Sequence, residues 1–258
     1  MPVKLHYQTY GAGPPVVILH GLFGSSRNWT AFARQLAVQH FVITIDLRNH
    51  GSSGHADSMT YPDMAADILT VLDECGLQRA SLIGHSLGGK VAMTFALTYA
   101  ARAERLIVLD MAPVAYRNNF QALLESLEDL PLVELRGRKH ADELLSARIA
   151  DQSLRLFLLT NLVKVDHSYR WRVNLAALKQ NLTGIGGFPN LETIRPYTGP
   201  ALFLGGADSA YLKPEHAPVI NRYFPDACID YVEKAGHWLH IDQPAHVLHR
   251  VMIFLRST

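Results

Sequence analysis

Short apolar runs alternate with amphipathic stretches of helical length through most of this chain, and few folds accept that alternation. The runs are Pro15 to Leu19, Phe41 to Ile45, Ala80 to Ile83, Leu106 to Leu109, Ala201 to Leu204 and Cys228 to Val232. Continuous apolar runs this short read as strands covered on both faces. Helical patterns separate them over Trp29 to Gln39, Leu87 to Tyr99, Pro214 to Tyr223 and Pro244 to Leu255. A further helix is bounded by its own signals: Thr60 as the cap, Pro62 in the first turn, Met64, Ile68, Val71 and Leu72 on one face, and Gly76 as the stop after Cys75. The pattern predicts an α/β fold, a mostly parallel central sheet flanked by helices.

One interval breaks the rhythm. Between Asp110 and Ala201 no clear strand is legible, only helical patterns such as Phe120 to Leu127, Ala141 to Ile149, Leu154 to Val163 and Trp171 to Leu182. These predict a helical cap (lid) domain over 112–187, inserted after the sixth strand into a core domain made of 1–111 and 188–258. Extra helices packed on a sheet face are the plainer alternative. The cap is preferred because sites in open α/β sheets lie at the carboxyl ends of strands, where this insertion begins.

Bulk properties narrow the partners. With 258 residues, 48% of them hydrophobic, the chain has enough apolar surface for a large core. The 24 Lys and Arg nearly balance the 23 Asp and Glu, so no general attraction to nucleic acid or an anionic membrane is built in. Met1 to Tyr10 lacks the apolar run of a signal peptide, and no segment is long and apolar enough to span a bilayer. The expectation is a soluble, cytoplasmic monomer or homodimer acting on a small, neutral or locally apolar molecule. Cys75 and Cys228 have no metal-binding spacing and are expected to be buried, structural thiols.

The stretch carrying chemistry is Ser81-Leu82-Ile83-Gly84-His85-Ser86-Leu87-Gly88-Gly89-Lys90. An apolar strand runs into Gly-x-Ser-x-Gly and straight on into a helix, the setting in which a serine is held on a tight turn at a helix N-terminus. Gly84 and Gly88 stand where side chains would clash. Such a hydroxyl attacks only when a base takes its proton. His237, in Ala235-Gly236-His237-Trp238 after the last predicted strand, is the preferred base, with His240 the competitor. An acid must then orient the imidazole. Asp110 ends the run Leu106 to Leu109, and Asp208 follows the run Ala201 to Leu204 in Gly205-Gly206-Ala207-Asp208; both point to the same rim. Two backbone N–H groups should stabilise an oxyanion, one from Leu87 and one from Leu22 in the turn His20-Gly21-Leu22-Phe23-Gly24.

Taken together these residues resemble the α/β-hydrolase superfamily over essentially the whole chain. His20 to Ser25, Asp46-Leu47-Arg48-Asn49-His50-Gly51-Ser52-Ser53, Leu109-Asp110-Met111-Ala112-Pro113, Trp171-Arg172-Val173-Asn174-Leu175 and Gly236 to His240 are similar to the YbfF-type esterases and their mitochondrial eukaryotic relatives. The resemblance implies a carboxylesterase or thioesterase acting on acyl esters, with acyl-CoA a candidate, and no cofactor. In that family the position matching Asp208 is often asparagine and the aspartate matching Asp110 completes the triad. Here the position is Asp208, so both acids stay open, with Asp110 slightly preferred.

The implied mechanism is acyl transfer through a covalent intermediate on Ser86, with a rate rising through the ordinary histidine pKa of about 6.5. Phe23, Met111, Tyr116, Phe157, Trp171 and Trp238 are candidates for an apolar acyl pocket. Arg136-Gly137-Arg138-Lys139-His140 is either a cradle for CoA phosphates or a solvated basic turn. Rival chemistries on the fold are carbon–carbon bond hydrolysis, perhydrolysis and lyase reactions; a ligand-binding receptor that has lost turnover is the rival of another class. Haloalkane dehalogenases and epoxide hydrolases resemble this architecture but place aspartate at the Ser86 position. A metal site is disfavoured, since His237 and His240 lack a convincing third ligand.

Overall fold

The computed structural model describes residues 2–116, 120–189 and 194–256. Its main sheet has the strands β1 (Tyr7–Tyr10), β2 (Pro15–Leu19), β3 (Phe41–Ile45), β4 (Ala80–His85), β5 (Ala103–Leu109), β8 (Ala201–Gly206) and β9 (Ala227–Val232). The spatial order is β1-β3-β2-β4-β5-β8-β9, with every neighbouring pair parallel except β1 and β3. β1 was illegible as an apolar run because it is a half-exposed edge strand, Tyr-Gln-Thr-Tyr, without a second covered face.

Alternation along the central strands divides the apolar side chains between two cores. Val17, Leu19, Leu82, Leu106, Val108 and Phe203 face one, and Val16, Ile18, Ile83, Ile107, Leu109 and Leu202 face the other. The first core is covered by α2 (Tyr61–Glu74), α3 (Leu87–Thr98) and α9 (Ala217–Tyr223), the second by α1 (Thr30–Leu36) and α11 (Pro244–Arg256). This explains why the strands are apolar at successive positions. Thr60 caps α2 as expected, accepting the Asp63 N–H at 3.2 Å, and Gly76 follows it at φ 66°. Two expected helices begin instead with a tighter turn: Ser26–Trp29 precedes α1, and Pro214–His216 precedes α9.

The interval between β5 and β8 holds α4 (Phe120–Glu128), α5 (Arg138–Leu145), α6 (Gln152–Leu159), α7 (Leu175–Gln180) and α8 (Leu182–Gly186). It leaves the sheet after the fifth strand of the chain, not the sixth, because one antiparallel edge strand and four parallel strands precede it. It also contains strands, β6 (Leu162–Val165) and β7 (Ser168–Trp171), paired antiparallel with Leu162 opposite Trp171. Trp171 was therefore misassigned to a helix. The hairpin is four residues a side around Asp166 (φ 51°), too short for its alternation to register against the helical pattern that follows.

This segment is tied to the carboxyl ends of the strands. Asn161 donates to the Phe23 carbonyl at 2.7 Å, Asn174 N–H to the Asn49 carbonyl at 2.9 Å, and Tyr61 to the Ile185 carbonyl at 2.6 Å. The remaining helix, α10 (Leu239–Asp242), precedes α11. Both cysteines are free, but neither is buried: Cys75 is half-buried at the end of α2 and Cys228 is exposed on β9, an edge strand with an outward face. Among the described residues, no helix is long and apolar enough to cross a membrane.

Candidate active site

β2 and β4 are neighbours, yet the chain leaves β2 toward β3 on one side and leaves β4 toward β5 on the other. A crevice opens at the carboxyl ends of two such strands. The turn His20 to Gly24 follows β2, and Ser86 follows β4.

Ser86 sits at φ 53° and ψ −116°, a backbone conformation that costs energy for a side chain other than glycine. Close packing holds it there. A Cβ on Gly84 would lie 2.1 Å from the Gly88 carbonyl oxygen, and one on Gly88 would lie 2.4 Å from the Leu19 carbonyl oxygen. Both obstacles are backbone, so neither glycine accepts a side chain. The first-turn N–H groups of α3, beginning with Leu87, have no intrahelical acceptor and carry the positive end of the helix dipole beside the hydroxyl.

The opposite turn is fixed by two neutral histidines. His50 Nε2 accepts the Phe23 N–H at 3.1 Å while its Nδ1–H donates to the Arg48 carbonyl at 3.0 Å. Burial and the neighbouring His20 push His50 down to about 3, so it keeps this tautomer. His20 accepts the Leu47 N–H at 3.0 Å and donates to the Gly21 carbonyl at 2.7 Å. The Phe23 N–H is thereby occupied and the Gly24 N–H is bound to the Gly21 carbonyl at 2.9 Å, whereas no described hydrogen bond takes the Leu22 N–H. Phe23 itself has φ 61° and is buried.

His237 lines the same gorge as Ser86, and its Nδ1–H donates to Asp110 Oδ2 at 2.6 Å. Asp110 is fully buried at φ 51°. Its carboxylate also accepts the Gly206 N–H at 3.2 Å and the Ser209 hydroxyl. Its own N–H is bound to the Leu204 carbonyl at 2.9 Å, and the Ser86 N–H to the Leu109 carbonyl at 3.2 Å, so the ends of β4, β5 and β8 are locked in register. Asp208 is exposed, with its N–H on the Ala235 carbonyl, and makes no contact with His237 among the described hydrogen bonds. The competing candidate, His240, also lines the gorge, but it is stacked on Trp29 at 4.2 Å, and burial, then His237, lower it to about 3.

Three neighbours of His237 were missed in the sequence. Tyr211 stacks on its ring at 3.9 Å and 23°. Ser209 shares the carboxylate of Asp110. His85, held well below the ordinary histidine value by burial and then by His237 and His240, donates from Nε2 to the His237 carbonyl at 2.8 Å. The polar cluster Asp208-Ser209-Ala210-Tyr211 after β8 was the available signal, and only its aspartate was read.

Two cavities meet at Ser86. The larger, about 620 Å³, is lined by His237, Phe23, Phe157 and Trp238, with Phe157 and Trp238 rings 5.6 Å apart. The smaller, about 20 Å³, is lined by Leu22, Leu87, Lys90, Met111, Tyr116 and Ile185 among others. Trp171 is not brought to either: it lies on β7 with its indole N–H on the Leu127 carbonyl at 3.1 Å. From the basic pentapeptide, Arg138 and Lys139 line a neighbouring groove of about 570 Å³ with Arg27, Asn28 and Arg172. Asn28 also lines the gorge.

The chain belongs to the alpha/beta hydrolase fold family, whose sequence model matches residues 14–244. Among its relatives, the sn-1-specific diacylglycerol lipase ABHD11 of Xenopus laevis is 41% identical, over 99% of this chain and 85% of that protein. Esterase YbfF of Escherichia coli is 32% identical over 94% of this chain and 93% of its own. A solved marine microorganism esterase superposes with a TM-score of 0.94 at 36% identity, over 98% of this chain and 99% of that one. These likenesses support a carboxylic ester hydrolase.

Proposed function

We propose that the protein is a serine carboxylesterase and thioesterase that hydrolyses small acyl esters through an acyl-enzyme on Ser86. The observation that carries this is the buried Asp110 carboxylate 2.6 Å from His237 Nδ1, in a gorge that also holds the Ser86 hydroxyl. A carboxylate there fixes the tautomer that leaves Nε2 free to accept a proton, and offsets the charge of the imidazolium that forms. His237 takes the proton of Ser86, Ser86 attacks the carbonyl carbon, and the Leu22 and Leu87 N–H groups stabilise the oxyanion. His237 then protonates the leaving group, and water completes the cycle. The segment 112–187 acts as the lid, supplying Phe157 to the gorge and Asn161 to the oxyanion turn. No cofactor is required by these steps.

The thioester part is favoured by the cationic groove. Arg27, Arg138, Lys139 and Arg172 converge beside the gorge, and burial, then repulsion from Arg27, lower Arg172. Asp142, the carboxylate lining it among the described residues, is paired with Arg155 at 2.6 Å. Guanidinium groups so arranged suit the phosphates of acyl-CoA. Turnover of p-nitrophenyl esters, measured beside acyl-CoAs, tests the reading. Esters are expected to be hydrolysed, and acyl-CoA hydrolysis to weaken with added salt; failure on every ester and thioester would overturn it.

A further inference from the structure

The unequal cavities on the two sides of Ser86 assign the two halves of the substrate. His237 lines the large gorge and is absent from the lining of the small chamber; Leu22 and Ser86 line both, and Leu87 lines the chamber alone. The leaving group must receive its proton from His237, so it departs on the gorge side. With the oxyanion turned to the Leu22 and Leu87 amides, the remaining substituent of the carbonyl carbon, the acyl chain, points into the chamber.

That chamber is small and its walls are tied. About 20 Å³ holds roughly one group the size of a water or methyl. Lys90 is a buried part of its wall, donating to the Gly186 carbonyl at 2.9 Å and to the Gly187 carbonyl, with its Nζ 4.9 Å from the Tyr116 ring centre; burial lowers it to about 7. Tyr116 donates to the Tyr211 carbonyl at 2.7 Å and accepts the Ala112 N–H at 2.9 Å. Ile185 is held through its carbonyl by Tyr61. Lengthening the chamber means breaking hydrogen bonds between α3 and the segment returning to β8. A longer apolar chain would also have to push the Lys90 Nζ off the Gly186 and Gly187 carbonyls, leaving buried polar groups unpaired.

We propose that Lys90 and Ile185 close the acyl chamber and restrict the enzyme to esters of very short acyl groups, acetyl foremost, while the gorge admits large leaving groups. This rests on Ser86 and His237 in the roles given above. In the first step the Ser86 Oγ–carbon bond forms, the Ser86 proton passes to His237, the carbon–oxygen bond to the leaving group breaks, and that group departs as the alcohol with the proton. Water, giving a proton to His237, then adds to the acyl carbon, the bond from that carbon to Ser86 Oγ breaks, and His237 returns the proton to Oγ, which releases the short carboxylic acid and restores the Ser86 hydroxyl.

The test is kcat/KM for p-nitrophenyl acetate, butyrate and octanoate, which vary the acyl chain alone. In the wild type it is expected to fall at least about 100-fold from acetate to octanoate, within what a misfitted apolar pocket can discriminate. Lys90→Ala, and separately Ile185→Ala in case the first variant fails to fold, are expected to raise the butyrate-to-acetate ratio about tenfold. Octanoate turned over as well as acetate by the wild type, or an unmoved ratio in the folded variants, would overturn the assignment of the chamber while leaving the serine mechanism intact. Loss of turnover on every ester would remove that mechanism and the chamber's role with it.

Discussion

Ser86→Ala is expected to lower kcat for p-nitrophenyl acetate by about 10⁵- to 10⁶-fold, the scale seen when a serine hydrolase loses its nucleophile. The strained turn between Gly84 and Gly88 is what holds the Ser86 hydroxyl at the gorge. The substitution keeps the Cβ and therefore the backbone requirement at φ 53°. The thermal midpoint is accordingly expected to stay within about 3 °C, less than about 1 kcal/mol for a chain of this size. Retention of more than about a hundredth of the activity would mean that another group attacks the carbonyl.

Asp110→Asn is expected to lower kcat about 10⁴-fold, because an amide in that place presents the wrong partner to His237 Nδ1 and selects the wrong tautomer. Asp208→Asn is expected to change kcat less than about threefold, since Asp208 is exposed and outside the His237 contacts. The contrast is informative because the two aspartates end adjacent strands, β5 and β8, and both could reach this rim. Steady-state kinetics on the two variants, with circular dichroism to verify folding, decides it. Equal losses, or a larger loss in Asp208→Asn, would transfer the acid role away from Asp110.

The core elements were legible because their sequence signals are local. β2, β3 and β5 read directly as apolar runs covered on both faces, and α2 carries its own cap and stop. The β6–β7 hairpin was not, since four-residue strands with mixed burial leave too little alternation to detect. Ser86 and His237 stand in patterns that the turn geometry itself demands. The surroundings of His237 depend on pairings that sequence does not reveal: Asp110 lies 127 residues away and His85 lies 152 away in the chain. The choice between Asp110 and Asp208 stayed open for the same reason, as two strand ends at one rim differ only in where their side chains turn. Trp171 was misplaced by reading the helix of the following residues back into a strand.

The most direct measurement is peptide mass spectrometry after inactivation with p-nitrophenyl diethyl phosphate, which transfers one diethylphosphoryl group to an activated serine and releases p-nitrophenol. The expected result is a single modification on Ser86 that grows in proportion to lost activity and is absent from Ser86→Ala. Inactivation with the label on another residue, or an enzyme that stays active and unlabelled at Ser86, would contradict the assignment of Ser86 as the nucleophile.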